Sequence, residues 1–284
     1  MKVMVTGCSG FIAQHLMRAC MESDWEMIGI DKRPLNGYHP HKFIQADVRD
    51  LNFRDMLGID YVFHLAWRTN IPDCSRHPVE STKDNIDMSL HLLEICKEAG
   101  VKKFLFPSTA SLYGHNPTPW KEDMPPEPIE HYSWQKLAIE EACQMYAKNG
   151  LPTTIFRFFQ VFGEYQREDT ALAAFLRSKQ DGKPVTLTKT TAQSVFKSGQ
   201  RDFVYAGDVA KALILAAEKD PGTGEIYNVG GTVHTMEEIA AAIGNEVTWI
   251  ERRPYEVDRH ESNSSKLKAL GWSPDVDVIK WLKI

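Results

Sequence analysis

The chain has 284 residues, 43% hydrophobic and 25% charged, with a net charge of −5; that is ample for a packed core of one large domain or two intimate ones. The mild acidity, without a long run of Lys or Arg, excludes a phosphate-tracking nucleic-acid surface, and no apolar stretch approaches the roughly 18 residues that span a bilayer. The absence of a leader pattern before Lys2, with Cys8, Cys20, Cys74, Cys96 and Cys143 scattered without CxxC spacing, predicts a cytoplasmic protein with reduced thiols, no disulfide framework and no metal site.

Lys2 to Thr6 is a short apolar run. Gly7-Cys8-Ser9-Gly10-Phe11-Ile12-Ala13 follows as a glycine turn, and Leu16, Met17 and Cys20 continue a helical pattern. A second apolar run, Met27 to Ile30, ends in Asp31. Strand, glycine turn, helix, strand and acidic residue together read as a dinucleotide site. Gly7 permits the tight turn, Gly10 lets the backbone approach a pyrophosphate, and the helix start offers free N–H groups and a positive dipole end. Ala is a permitted variant at the third glycine position, here Ala13. Asp31 stands about 20 residues past the turn, where a carboxylate accepts the 2′ and 3′ hydroxyls of an adenosine ribose.

Lys42 to Val48 reads as a short strand, Leu51 to Leu57 as a helix and Asp60 to Ala66 as a fourth strand. Residues 81–99 form a long amphipathic helix closed by Gly100, and Lys102 to Phe106 a fifth strand. The proline-rich loop between Pro117 and Pro128 holds no regular element. A helix from Tyr132 to Lys148 and a strand from Thr153 to Phe158 complete a β-α alternation. It implies an α/β fold, a doubly wound parallel sheet with helices on both faces.

From Thr170 the alternation is less clean. A helix runs to Lys179, a strand covers Val185 to Leu187, and Thr188 to Gln200 is a polar loop. Strands at 201–205, 225–229 and 247–250 alternate with helices at 208–217 and 235–243, the latter N-capped by Thr235. Short helical segments at 264–270 and 276–282 close the chain. The division expected is a Rossmann domain over 1–160 and, over 161–284, mainly a smaller substrate-binding lobe, with about 200–218 returning to the Rossmann core.

Tyr132 and Lys136 lie four apart on one helix face. An ammonium beside a phenol stabilises the tyrosinate, so the tyrosine can exchange a proton with a substrate hydroxyl while a hydride moves to or from nicotinamide. Thr109, 23 residues upstream of Tyr132, falls at the carboxyl edge of the sheet, where ligands bind in such folds. Its hydroxyl is placed to hydrogen-bond the reacting oxygen.

With these residues in hand, the chain resembles the extended short-chain dehydrogenases/reductases of the sugar-nucleotide epimerase/dehydratase type, from residue 1 to about 272. The resemblance rests on Gly7-x-x-Gly10-x-x-Ala13, Asp31, Asp47-Val48, His64-Leu65-Ala66-Trp67, Asn85, the run Ser108 to Gly114, Tyr132-x-x-x-Lys136, Arg157 to Gly163, Arg201 to Tyr205 and Tyr227 to Gly231. It implies NAD as cofactor, cradled by Gly7, Gly10, Phe11 and Ile12, with Asp31 on the ribose, Asp47 and Val48 at the adenine, and Leu65 and Ala66 alongside. Tyr132 would be the acid/base, Lys136 would hold the nicotinamide ribose and tune Tyr132, and Thr109 would be the hydroxyl partner. Gln160, Arg201 and Arg253 would contact a nucleotide-sugar, the two arginines at its diphosphate.

The 4,6-dehydratases of the family carry an Asp-Glu or Ser-Glu pair directly after the catalytic Thr. Here those places are Ala110 and Ser111, which disfavours elimination chemistry. The run is similar to that of the UDP-galactose 4-epimerases, which oxidise C4 to a ketone and return the hydride to the other face. The leading reading is an NAD-dependent nucleotide-sugar epimerase. A net 4-ketoreductase or sugar dehydrogenase, and a non-catalytic dinucleotide-sensing regulator, stay open beside it. The pocket departs from the family at Trp67 (for Ala), His131 (for Pro) and Gln160 (for Asn), and in the 188–200 loop. The resemblance also implies a homodimer, through a four-helix bundle of helices near 83–99 and 132–148.

Overall fold

The computed structural model describes residues 1–244, 246–252 and 256–283. In chain order the first half forms β1 (Lys2–Thr6), α1 (Phe11–Glu22), β2 (Glu26–Asp31), β3 (Lys42–Gln45), β4 (Tyr61–His64), α2 (Ile71–Arg76), α3 (Pro78–Thr82), α4 (Met88–Ala99), β5 (Lys103–Thr109) and α5 (His131–Lys148). The second forms β6 (Thr153–Phe158), β7 (Gln160–Phe162), α6 (Ala171–Gln180), β8 (Val185–Thr188), β9 (Gln200–Tyr205), α7 (Ala206–Lys219), β10 (Thr223–Val229), β11 (Thr232–Thr235), α8 (Met236–Ile243), β12 (Val247–Ile250), α9 (Ser265–Ala269) and α10 (Val278–Trp281).

The main sheet has seven strands in the order β10-β6-β5-β4-β1-β2-β3, every pairing parallel. It is the expected doubly wound α/β sheet. β2 and β3 lie on one side of β1, while β4, β5 and β6 lie on the other. The winding therefore reverses between β1 and β4, and a ligand crevice opens at their carboxyl ends. Helices cover both faces, so β5 is buried at every residue, as a central parallel strand must be. α1 and α7 seal one face through Leu16, Met17, Val209 and Leu213. α4 and α5 seal the other through Leu92, Leu93, Ile139 and Cys143.

The return to the main layer is shifted from the expected stretch of about 200–218: β9 belongs to a small sheet, and the return begins at α7, which leads directly into β10, the edge strand of the main sheet. Two small sheets, β11-β9-β7 and β12-β8, pack with α6, α8 and α10 around Phe162, Phe175, Phe203 and Ile239. Among the described residues no helix is long and apolar enough to cross a membrane.

Local differences from the sequence reading have local causes. The helix expected over Leu51–Leu57 is a single 3-10 turn, Phe53–Met56, capped by Asn52. The helix expected over 81–99 begins at Pro78 and passes through a π-helical stretch, Lys83–Asp87, before α4. The wide turn buries Asn85, whose amide accepts from Arg68 N at 2.8 Å and donates to Gln135 Oε1 at 2.8 Å. α2, β7 and β11 were not expected; each is six residues or fewer, too short to show a period. Thr235 caps α8 as expected, accepting from Glu238 N at 3.1 Å.

Two buried polar contacts hold the layers together. Arg157 of β6 and Glu140 of α5, each with its side chain 2% exposed, pair at 2.8 Å; removing one partner of such a pair costs about 3–5 kcal/mol. His64, fully buried at the end of β4, meets Thr6 Oγ1 and Ser89 Oγ at 2.9 Å each. Burial, helped by the nearby Lys136 charge, pushes its pKa down from 6.5 to about 3. The unfolded chain therefore binds this proton below pH 6.5 while the folded chain does not, and stability is lost as pH falls from about 6.5 toward 3. The slope is about 1.4 kcal/mol per pH unit for one proton. Urea unfolding between pH 7 and 4.5 checks this: a folded His64→Gln variant should show a shallower loss than the parent, and equal slopes would refute it.

Candidate active site

The crevice between β1 and β4 is the mouth of a cavity of about 1060 Å³ lined by residues from both halves of the chain. Its floor is the glycine turn. Gly7 has φ +69° and donates to Ile30 O at 2.7 Å, and Gly10 N closes the turn on Gly7 O at 2.9 Å. A Cβ on Gly7 would lie 2.7 Å from Ala66 N, so only glycine fits. No side chain caps α1 at Gly10, which leaves its first-turn N–H groups, beside Phe11 and Ile12 in the wall, for a negatively charged ligand.

Asp31 ends β2, is 8% exposed, and accepts from Ser9 N at 3.0 Å and Arg33 N at 2.9 Å. Val48, Leu65, Ala66, Thr109, Tyr132 and Gln160 also line the cavity. The side chains of Ser9, Trp67, Ser108 and Gln166, all in that wall, each carry a buried polar atom without a partner. An uncapped helix start, a backbone approach that excludes any Cβ and these unpaired polar atoms fit a dinucleotide.

Three expected contacts are not in the wall. Asp47 caps its own 3-10 turn and pairs with Arg49 and Lys32, each at 2.7 Å; those cations hold its carboxyl far below the usual range, and Ala46 and Val48 form the wall instead. Lys136 is 4% exposed and donates to Pro107 O at 2.6 Å. Arg201, on β9, meets Gln200 O at 2.8 Å and Glu256 at 3.5 Å, in the small-sheet region and outside the cavity lining. Arg253 lies outside the described residues.

Tyr132 is fixed by the start of α5, where Glu130 accepts from Tyr132 N at 2.6 Å and Ser133 N at 3.0 Å. Its neighbour in the cavity wall is Thr109, whose hydroxyl donates to Ser111 Oγ and accepts from Ser111 N, each at 3.2 Å. Burial pushes the Tyr132 pKa up, the Glu130 charge adds to that, and Thr109 opposes it. The expected lowering by Lys136 is not found, because that ammonium turns to Pro107 and not to the phenol. Burial also pushes the Lys136 pKa down.

Residues 164–170 escaped the sequence reading. Tyr165, Gln166 and Arg167 line the cavity, Arg167 hydrogen-bonds Thr69, and Asn70 donates to Asp169 at 3.1 Å. The chain after β7 is thereby tied to the chain after β4 across the opening. The only local signal is Tyr165 at φ +66°, which a sequence does not display. Arg68 was equally silent; it pairs with Asp73, Glu80 and Asp84 at 2.6–3.2 Å.

The sequence profile of the NAD dependent epimerase/dehydratase family matches residues 3–230. The chain belongs to that family. It is 31% identical over 249 residues to an uncharacterized UDP-glucose epimerase of Bacillus subtilis, covering 81% of this chain and 77% of that protein. It is 29% identical to the dTDP-D-glucose 4,6-dehydratase of Mus musculus over 97% of this chain and 84% of the relative. The crystal structure of Thermus thermophilus UDP-glucose 4-epimerase in complex with NAD superposes with a TM-score of 0.87 at 30% identity, covering 100% of this chain and 97% of that one. The chain is an NAD-dependent enzyme, and we propose that its dinucleotide lies over the glycine turn, the start of α1 and Asp31. Asp31→Asn should weaken NAD binding about tenfold, by one charge-assisted hydrogen bond. Gly7→Ala should abolish binding, and calorimetric titration measures both; an unchanged dissociation constant for either would contradict this placement.

Proposed function

We propose that the enzyme epimerises a nucleotide-linked sugar by transient oxidation at C4. The observation that carries this reading is the Thr109–Tyr132 hydroxyl pair in the cavity wall, followed at once by Ala110 and Ser111 where elimination chemistry needs carboxylates. The glycine turn, the start of α1 and Asp31 would hold NAD, which would supply the hydride acceptor and donor. Tyr132 receives the sugar hydroxyl proton as the carbon is oxidised and returns it on reduction, while Thr109 hydrogen-bonds the same oxygen. Lys136, once its ammonium leaves Pro107 O, holds the nicotinamide-side ribose and brings to Tyr132 the positive charge that a tyrosinate needs, against the upward push of burial.

The substrate lobe is proposed for residues 161–284, apart from the stretch that rejoins the main sheet. Gln160 contacts the sugar, and Arg201 with Arg253 grips the diphosphate. For Arg201 this means exchanging Glu256 for the ligand. Five buried free cysteines support a cytoplasmic setting.

Denaturing the purified protein and identifying released dinucleotide by mass spectrometry tests the reading first. Stoichiometric NAD or NADH supports an enzyme that recycles its cofactor; an empty protein favours a net redox reaction with exchanging cofactor. Tyr132→Phe should keep fold and NAD while losing at least about 100-fold in turnover, and an active Phe variant would remove Tyr132 from the chemistry.

We also propose a homodimer built on α4 and α5. Leu90 is 40%, Trp134 47% and Met145 59% exposed on those helices, a spread of apolar surface that a second copy would cover. Light scattering should give about twice the 32.3 kDa chain mass, and Trp134→Glu should reduce it to one chain. A parent protein that runs as a single chain would end the dimer proposal.

A further inference from the structure

Trp67 stands where the resembling sequences carry a second alanine, and neither the fold nor the chemistry described above accounts for it. Its indole forms part of the cavity wall together with Thr109 and Tyr132. Against that indole lies the Lys136 ammonium, 3.7 Å from the ring centroid and 4.6 Å from that of Phe106. Lys136 is itself absent from the wall. Of the two groups in contact, the indole reaches the cavity and the ammonium does not.

The geometry also shows what can move. Ala66 N donates to Thr6 Oγ1 at 3.1 Å and Arg68 N to Asn85 Oδ1 at 2.8 Å, so the backbone on either side of Trp67 is tied down. Only its side-chain torsions are left. The indole N–H is buried and meets no acceptor, an arrangement that rotation toward a hydroxyl-rich ligand relieves. The ring is held by edge contacts with Phe106 and His64 and by its contact with a desolvated cation, the setting in which cation–π attraction is strongest.

We propose that Trp67 is the positioning residue for Lys136: its indole shields the ammonium from the cavity and turns aside when the dinucleotide engages that lysine. This inference rests on the ribose-holding role proposed for Lys136. While the ring is closed the site is not competent, so the apparent affinity is reduced by the competent fraction. Removing the ring removes that penalty.

Stopped-flow binding of NAD to the full-length protein, cleared of bound nucleotide, tests the idea. Trp67→Ala should bind NAD about tenfold faster and more tightly than the parent. In a Lys136→Met background, where nothing behind the ring has to be reached, the same substitution should bring no gain. Trp67→Phe, a milder change that keeps an aromatic face on the ammonium, should fall between parent and Trp67→Ala, and it carries the test if the alanine variant does not fold. Association as slow as the parent's in the Trp67 variants, or an equal gain in the Lys136→Met background, would overturn the proposal. Unchanged NAD affinity in Lys136→Met alone would instead overturn the role of Lys136, and with it this inference.

Discussion

The seam between β1 and β4 leaves no room for a methyl group. Gly7 passes the chain leaving β4 so closely that a Cβ would stand 2.7 Å from one backbone atom of Ala66 and 2.8 Å from another. Thr6 closes the seam from inside, taking a hydrogen bond from Ala66 N at 3.1 Å and pairing with His64 at 2.9 Å. Because these contacts set how far the two strand ends diverge, they set the mouth of the crevice. The position of Asp31 follows from them through Ser9 N, and the start of α1 follows through Gly10. The dinucleotide site is in this sense a by-product of how tightly two adjacent parallel strands are stitched at their carboxyl ends.

The opposite wall is built on a different principle. Behind it, polar groups are turned away from solvent and held by protein: Lys136 by Pro107 O and aromatic faces, Arg157 by Glu140 through Nε and Nη2, Tyr113 Oη by Asn228 at 2.7 Å. Such a wall positions Tyr132 and Thr109 rigidly, because their neighbours have no alternative partners of comparable strength. It also sets Tyr132 against burial, so the charge that makes it a base has to be supplied at the site itself.

The sheet was legible because its strands are apolar runs separated by glycine turns and periodic helices, and each of these signals is local. The glycine turn, Asp31 and the Thr109–Tyr132 pair were legible for the same reason: a short motif fixes their backbone setting. What the sequence did not separate was site from scaffold within the motifs. Asn228 and Asp202 belong to runs that accompany the site, yet Asn228 accepts from Tyr113, and Asp202 accepts from Gly231 N at 2.6 Å and Ser262 N at 2.8 Å; both hold loops together. Asp47 likewise spends its carboxylate on its own turn. The 164–170 stretch reaches the cavity through contacts to Thr69 and Asn70, almost 100 residues earlier in the chain, and a spacing of that kind leaves no local pattern.

The late arrival of β10 bears on how the chain is made. β6 pairs with β5 on one side and with β10 on the other, from Thr153 against Thr223 to Phe158 against Val229 with one register shift between Thr223 and Glu225. α7, just before β10, supplies Val209, Leu213 and Ala216 to the same face that α1 covers. During synthesis the greater part of the polypeptide therefore leaves the ribosome with β6 as an unpaired edge and one sheet face half covered. An apolar edge strand in that condition is a template for pairing with other chains. Until Val229 has emerged the nascent protein depends on chaperones or on speed, and a fragment ending before α7 is an aggregation hazard, whatever share of the dinucleotide motif it contains.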